Sequence, residues 1–162
     1  NSGLIMGTRS GNIDAGALLY LNKNYDMSLE ELDSLLNNKS GLIAIAGTSD
    51  MRELERLAIA GGITAKLAIQ VFVERIRFYL GGYLALLGRV DCIAFTGGIG
   101  ENSTKIRSLI LNDLDHFNIR LDDYKNHSQG LGNIAEQDSM PIYVITANEE
   151  LYMAQVAIKG FI

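Results

Sequence analysis

The sequence has one cysteine, one proline, no tryptophan and only two histidines among 162 residues. A lone Cys92 cannot close an internal disulfide, so no disulfide framework supports this fold. That fits a reducing, cytoplasmic setting. Two histidines and one cysteine cannot build a zinc cluster unaided. A basic surplus is missing too: 14 Lys and Arg stand against 19 Asp and Glu, a net charge of −5. This balance argues against a nucleic-acid-binding face. Long apolar runs are absent. The most apolar stretch, Phe78 to Leu87, has ten residues, where a membrane span needs about 20. The start has neither the basic flank nor the apolar stretch of a signal peptide. It also has no initiator methionine, and residue 1 is read as a boundary inside a longer protein. No linker or repeat divides the chain, so residues 1–162 are read as a single domain.

Hydrophobic residues make up 48% of the chain, enough for a proper core, and the 17 glycines fall in clusters. A first helix is expected over about Ile13 to Leu21. A second opens at Ser28, with Glu31 at capping-box spacing and Leu29, Leu32, Leu35 and Leu36 on one face. Gly41–Ala46 reads as a strand or a buried turn. Asp50 and Glu53 open another helix, with an apolar stripe of Met51, Leu54, Leu57 and Ala58, which ends at Gly61–Gly62. Ile63–Leu87 reads as one long helix whose polar residues Lys66, Gln70, Glu74 and Arg77 form a narrow wet stripe. A helix so apolar is central to a core, or part of it is a subunit interface. Val90–Phe95 reads as a strand buried on both faces. A helix with Ile106, Leu109 and Ile110 inward follows it. Residues 116–140 read as loop with one or two edge strands. Ile142–Ile145 reads as a second buried strand, and a final helix runs to about Lys159. Two strand–turn–helix units predict an α/β domain.

Three segments could carry chemistry. The first is a strand, then Gly97-Gly98-Ile99-Gly100-Glu101-Asn102, then a helix. Glycines allow close approach of a ligand, and a helix N-terminus offers N–H groups to phosphate. The segment is neither a P-loop nor Gly-x-Gly-x-x-Gly. Its plain alternative is a tight turn capped by Asn102 or Ser103. The second is Gly7-Thr8-Arg9-Ser10-Gly11, where an arginine between glycines suits a phosphoryl clamp; the alternative is an ordinary surface arginine. The third is Asn148-Glu149-Glu150, where a carboxylate could hold Mg²⁺ through water. Here the alternative is Thr146-x-x-Glu149 capping. Asp50 and Arg52 share this duality, because Asp50 is also a good N-cap. His116 and His127 read as solvated loop residues and Cys92 as a small core residue.

The order of these segments carries more than any one of them. Met6-Gly7-Thr8-Arg9-Ser10-Gly11, Asp50-Met51-Arg52, Phe95-Thr96-Gly97-Gly98-Ile99-Gly100-Glu101-Asn102 and Ala147-Asn148-Glu149-Glu150 together resemble the C-terminal half of acetate and propionate kinases. The resemblance covers essentially the whole chain. It implies a ribonuclease-H-like (actin-like ATPase) domain of the acetate and sugar kinase, Hsp70 and actin superfamily, with a mixed sheet and flanking helices. It implies reversible phosphoryl transfer between ATP and acetate, giving acetyl phosphate and ADP, with Mg²⁺. By position, Arg9 matches the arginine that stabilises the transferring phosphoryl. Asp50, Met51 and Arg52 match the segment along the nucleotide. Gly98, Ile99, Gly100, Glu101 and Asn102 match the loop near adenosine and its phosphates. Glu149 matches the Mg²⁺-associated glutamate. The family dimerises mainly through this half, so a homodimer is expected.

Two departures stand out. The family usually follows its arginine motif with Gly-Asp-x-Asp-Pro, where this chain has Gly11-Asn12-Ile13-Asp14-Ala15. The family's N-terminal half, with its catalytic aspartate and most of its acyl pocket, has no counterpart here. A piece of a longer enzyme and a shortened gene product both remain open, as do acetate kinase, propionate kinase and a non-catalytic dimerising domain.

Overall fold

The computed structural model describes residues 3–128 and 130–160. They group into two compact units, one up to Gly88 and one from Arg89 onward. Among the described residues no helix is long and apolar enough to cross a membrane.

The first unit is helical: α1 (Ala15–Tyr25), α2 (Leu29–Asn38), α3 (Gly41–Ala46), α4 (Met51–Ile59) and α5 (Ile63–Leu87). Helix α2 starts where the sequence places it. Ser28 Oγ accepts the Glu31 N–H, and Glu31 Oε2 accepts the Ser28 N–H, a reciprocal capping box. Helix α1 begins later than expected, because Asp14 is its N-cap and accepts the Gly16 N–H. Gly41–Ala46 is neither strand nor turn but a short helix. Helices α3 and α4 pack on α5, burying Leu42, Met51, Leu54, Ala58, Ala65, Ala68, Ile69, Phe72 and Val73.

Helix α5 has the limits the sequence predicts but not the uniform burial. Its buried residues all lie between Ala65 and Val73. Toward its C-terminal end the large side chains are in solvent, Phe78 at 67% and Leu86 at 82% exposure. Only the half that meets α3 and α4 is core.

The second unit holds β1 (Ile93–Phe95), α6 (Gly97–Asn102), α7 (Thr104–Leu111), a 3₁₀ turn (Asp115–Phe117), α8 (Asp123–Ser128), β2 (Gly132–Asn133), β3 (Ile142–Val144) and α9 (Glu149–Gly160). The sheet order is β1-β3-β2, with β1 parallel and β2 antiparallel to β3, so it is mixed. Ile93 pairs with Ile142 and Phe95 with Val144. On β3, Ile142 and Val144 are buried while Tyr143 is exposed, and on β1 Ala94 is exposed. The expectation of strands buried on both faces is therefore corrected. Side chains alternate across a strand, so Ile142 and Val144 face the buried side of the sheet while Tyr143 faces the other.

Smaller corrections follow from the same geometry. Cys92 is exposed rather than core. Leu109 points outward on α7, where Ile106, Arg107, Ile110 and Leu111 are buried. Residues 116–140 contain the polar helix α8, and His127 belongs to it.

Candidate functional site

The loop bearing Arg9 is fixed through its backbone. Met6 N–H donates to Arg9 O, Ser10 N–H to Leu36 O, and Ser40 N–H to Thr8 O. Leu42 and Ile43 N–H, at the start of α3, donate to Met6 O and Gly7 O at 2.9 Å each. Thr8 Oγ1 donates to Asn37 O at 2.9 Å. Gly41 explains how α3 comes so close. Its φ is +71°, and a Cβ there would sit 2.2 Å from Met6 O and 2.9 Å from Arg9 N. The Arg9 side chain is exposed, with no ion-pair or hydrogen-bond partner among the described residues. A guanidinium on a fixed loop and free of local carboxylates is available to an anionic ligand.

Asp50, Met51 and Arg52 start α4. Asp50 is its N-cap: Oδ1 accepts the Arg52 N–H at 2.9 Å and Nε at 3.1 Å, and Oδ2 accepts Nη2 at 2.7 Å. These side-chain bonds from Arg52 hold the Asp50 carboxyl down at a pKa of about 2. The Asp50 carboxylate in turn raises the pKa of Arg52 through the same side-chain bonds. Met51 is 5% exposed and is a core residue. What this segment offers a ligand is therefore the exposed Asp50–Arg52 pair.

The Gly97–Asn102 segment is itself a helical turn, α6, so the chain runs strand, helical turn, helix. Gly97 has φ +74°, in the left-handed region. Gly98 is exposed. Asn102 Nδ2 donates to Gly98 O at 2.8 Å and stitches the turn. Ser103 Oγ accepts the Ile106 N–H and caps α7. Glu101 folds inward. Its Oε1 accepts the Gly97 N–H and the Ala147 N–H, each at 2.8 Å. The first N–H of α6 is thus already bonded to a carboxylate.

Arg107 is the residue that sequence reasoning missed. It is 1% exposed. Nη1 donates to Gly100 O at 2.8 Å and Glu101 O at 2.9 Å, closing the C-terminal end of α6. Nε donates to Asn126 Oδ1 at 2.8 Å and Nη2 to Asn126 O at 3.1 Å. Asn126, fully buried, donates in turn to Thr104 O and Ser108 Oγ, both at 3.0 Å. Four of the five guanidinium donors meet neutral oxygens, and no carboxylate pairs with Arg107 among the described residues. Burial holds its pKa below the usual arginine value. The glycine turn is therefore braced from behind by a buried cation.

Glu149 and Glu150 are exposed in the first turn of α9. The cap of this helix is not Thr146: Asn148 Oδ1 accepts the Leu151 N–H. Glu149 is therefore not needed for a capping box. It borders an open hollow of about 400 Å³ with Ala147, Asn148, Tyr152 and Met153. No cluster of three His, Cys, Asp or Glu side chains suited to a metal occurs among the described residues. Mg²⁺ usually takes one or two carboxylates and completes its shell with water and substrate phosphate. An exposed Glu149 free of local partners fits that donor set.

The acetokinase family model matches residues 1–155. An acetate kinase from Finegoldia magna is 43% identical over 155 residues, covering 94% of this chain and 39% of the relative. One from Syntrophobacter fumaroxidans is 44% identical over 160 residues, covering 97% and 39%. Among solved structures, a propionate kinase from Francisella tularensis matches with TM-score 0.89 at 42% identity, over 95% of this chain and 40% of that one. The Porphyromonas gingivalis acetate kinase matches with TM-score 0.90 at 34% identity, over 98% and 41%. The chain thus spans about two fifths of the length of the curated relatives it matches. These neighbours share its α/β architecture with a small mixed sheet and flanking helices, the fold that the sequence motifs imply. The chain belongs to the acetokinase family.

Proposed function

We propose that residues 1–162 are the C-terminal, nucleotide-side domain of an acetate kinase, acting in reversible phosphoryl transfer between ATP and acetate. One observation carries this reading beyond family membership: Arg9 is exposed, free of local carboxylates, and set on a loop fixed by backbone hydrogen bonds. Phosphoryl transfer is mainly positioning and charge stabilisation. A guanidinium bound in a local ion pair would have to break it first; Arg9 has none to break. In this reading Arg9 stabilises charge on the transferring phosphoryl. Asp50 and Arg52 line the nucleotide, with Met51 packing beneath them. Gly98, Ile99, Gly100 and Asn102 lie beside adenosine and its phosphates, in a turn whose Glu101 carboxylate bonds backbone N–H groups rather than the nucleotide. Glu149 would hold Mg²⁺, which supplies neutralisation of phosphate charge when bound.

The exposed C-terminal half of α5, with Phe78, Tyr83, Leu86 and Leu87 in solvent, supports a homodimer. Aromatic and large apolar residues are enriched in interface cores. Propionate is the second acceptor to weigh, because the Francisella tularensis propionate kinase structure is 42% identical. A coupled assay on the complete protein, with acetate and propionate as competing acceptors, tests the reading. ATP-dependent acyl phosphate formation with a higher kcat/KM for acetate is expected. Preference for propionate would replace the acceptor, and no turnover with either would leave a dimerising domain without catalysis.

A further inference from the structure

Glu101 stands apart from the other residues of the glycine turn because its carboxylate is engaged by the backbone of two separate segments. Oε1 receives two backbone N–H groups, from Gly97 four residues before it and from Ala147 forty-six residues after it, at 2.8 Å each. Gly97 directly follows the loop leaving β1, and Ala147 lies just beyond β3. The two strands are parallel neighbours, so both loops emerge at the same end of the sheet. Strand pairing ends nearby, with Ile145 N–H donating to Phe95 O at 2.9 Å. Past that point, no backbone–backbone hydrogen bond joins the two loops among the described residues, and the Glu101 carboxylate takes over. Thr96 gives α6 no side-chain cap, so Glu101 also satisfies an N–H that would otherwise be orphaned.

We propose that Glu101 is a positioning residue, a clasp that sets the glycine turn against the turn carrying Asn148 and Glu149. It rests on the nucleotide reading above in one respect: the two turns it joins are those assigned to nucleotide and Mg²⁺. The clasp needs an oxygen acceptor of the right reach. It does not need negative charge. Glutamine keeps that acceptor and that reach without the charge, whereas aspartate keeps the charge and loses one methylene of reach. A residue acting on nucleotide or Mg²⁺ through its charge would rank these variants in the opposite order.

The test uses the complete protein with Glu101→Gln, Glu101→Asp and Glu101→Ala. Two readouts are taken: hydrogen exchange at the Gly97 and Ala147 amides, and the Kd for ADP with Mg²⁺. Glu101→Gln should keep slow exchange at both amides and an ADP affinity within about threefold of the parent. Glu101→Asp and Glu101→Ala should speed exchange at both amides and weaken ADP by about tenfold, which is about 1.4 kcal/mol. If Gln weakens ADP as much as Ala while Asp does not, Glu101 acts through charge and the clasp is wrong. Unchanged exchange at Ala147 in Asp and Ala would also overturn it. Should the parent protein not bind ADP at all, the nucleotide reading falls, and the exchange arm alone still decides the clasp. Should Ala fail to fold, the Gln–Asp comparison decides both readouts.

Discussion

Replacing Arg107 by alanine should destabilise the second unit far more than a surface substitution would. The side chain is 1% exposed and makes four hydrogen bonds to Gly100 O, Glu101 O, Asn126 Oδ1 and Asn126 O. Its removal leaves the Asn126 oxygens buried without their donor, at about 1–3 kcal/mol per stranded group. It also opens a cavity between α6, α7 and α8, which adds the usual large-to-small penalty. Together these give at least about 4 kcal/mol, or roughly 8–16 °C in Tm for a chain of this size. Arg107→Met separates the contributions, because it fills most of the volume and strands the same oxygens. It should recover less than half of the loss. Arg107→Lys should do little better, since one ammonium cannot fan donors to four oxygens in the guanidinium geometry. Thermal unfolding followed by circular dichroism reads all three. A loss below about 1 kcal/mol for Arg107→Ala, or a neutral Arg107→Met, would show that the network adds nothing and that the turn holds without it.

Three further outcomes are expected. In the complete enzyme, Arg9→Ala should lower kcat by about 10²–10³-fold while changing the KM for ATP little, because the guanidinium acts on charge that develops during transfer; normal kcat with weakened ATP binding would assign it to the ground state. The Asp50 carboxyl should titrate near 2 by NMR, against about 3.9 for an unperturbed aspartate. Its folded pKa is depressed, so its stabilising contribution is present above about pH 4 and is lost as pH falls toward 2. Arg52→Ala should move the midpoint upward, and a midpoint near 3.9 in the parent would contradict the pair. Light scattering at micromolar concentration should give twice the 17.7 kDa chain mass, and Tyr83→Glu with Leu87→Glu on α5 should return the monomer; a monomeric parent would remove the dimer claim.

What was legible in the sequence follows where local chemistry decided the outcome. The Ser28–Glu31 box, the Asp50 cap and the ends of α5 were set by neighbouring residues, and the structure keeps them. Gly41–Ala46 was ambiguous because six small and apolar residues carry no period; its helix depends on N–H bonds to Met6 and Gly7, more than thirty residues earlier in the chain. Helix α8 was missed because its inward residue is Asn126, not an aliphatic side chain, so no apolar stripe announces it. Arg107 was missed for the complementary reason: a buried arginine looks in sequence like any solvated one. The Arg9 loop and the glycine turn were found as segments. The Glu101 bond to Ala147 was not, since a contact across 46 residues leaves no local pattern.

The central claim is that this chain carries the nucleotide side of an acetokinase site. An NMR titration of the isotope-labelled chain with ADP and Mg²⁺ tests it most directly. On the proposed reading this chain supplies only the nucleotide side of the site and leaves phosphates wet, so binding should be weak, with Kd of about 1 mM, near −4 kcal/mol. The account predicts saturating shifts at the Gly98, Gly100 and Asn102 amides, with a smaller one at Glu149. Shifts confined to other surfaces, or none at several millimolar ADP, would contradict it.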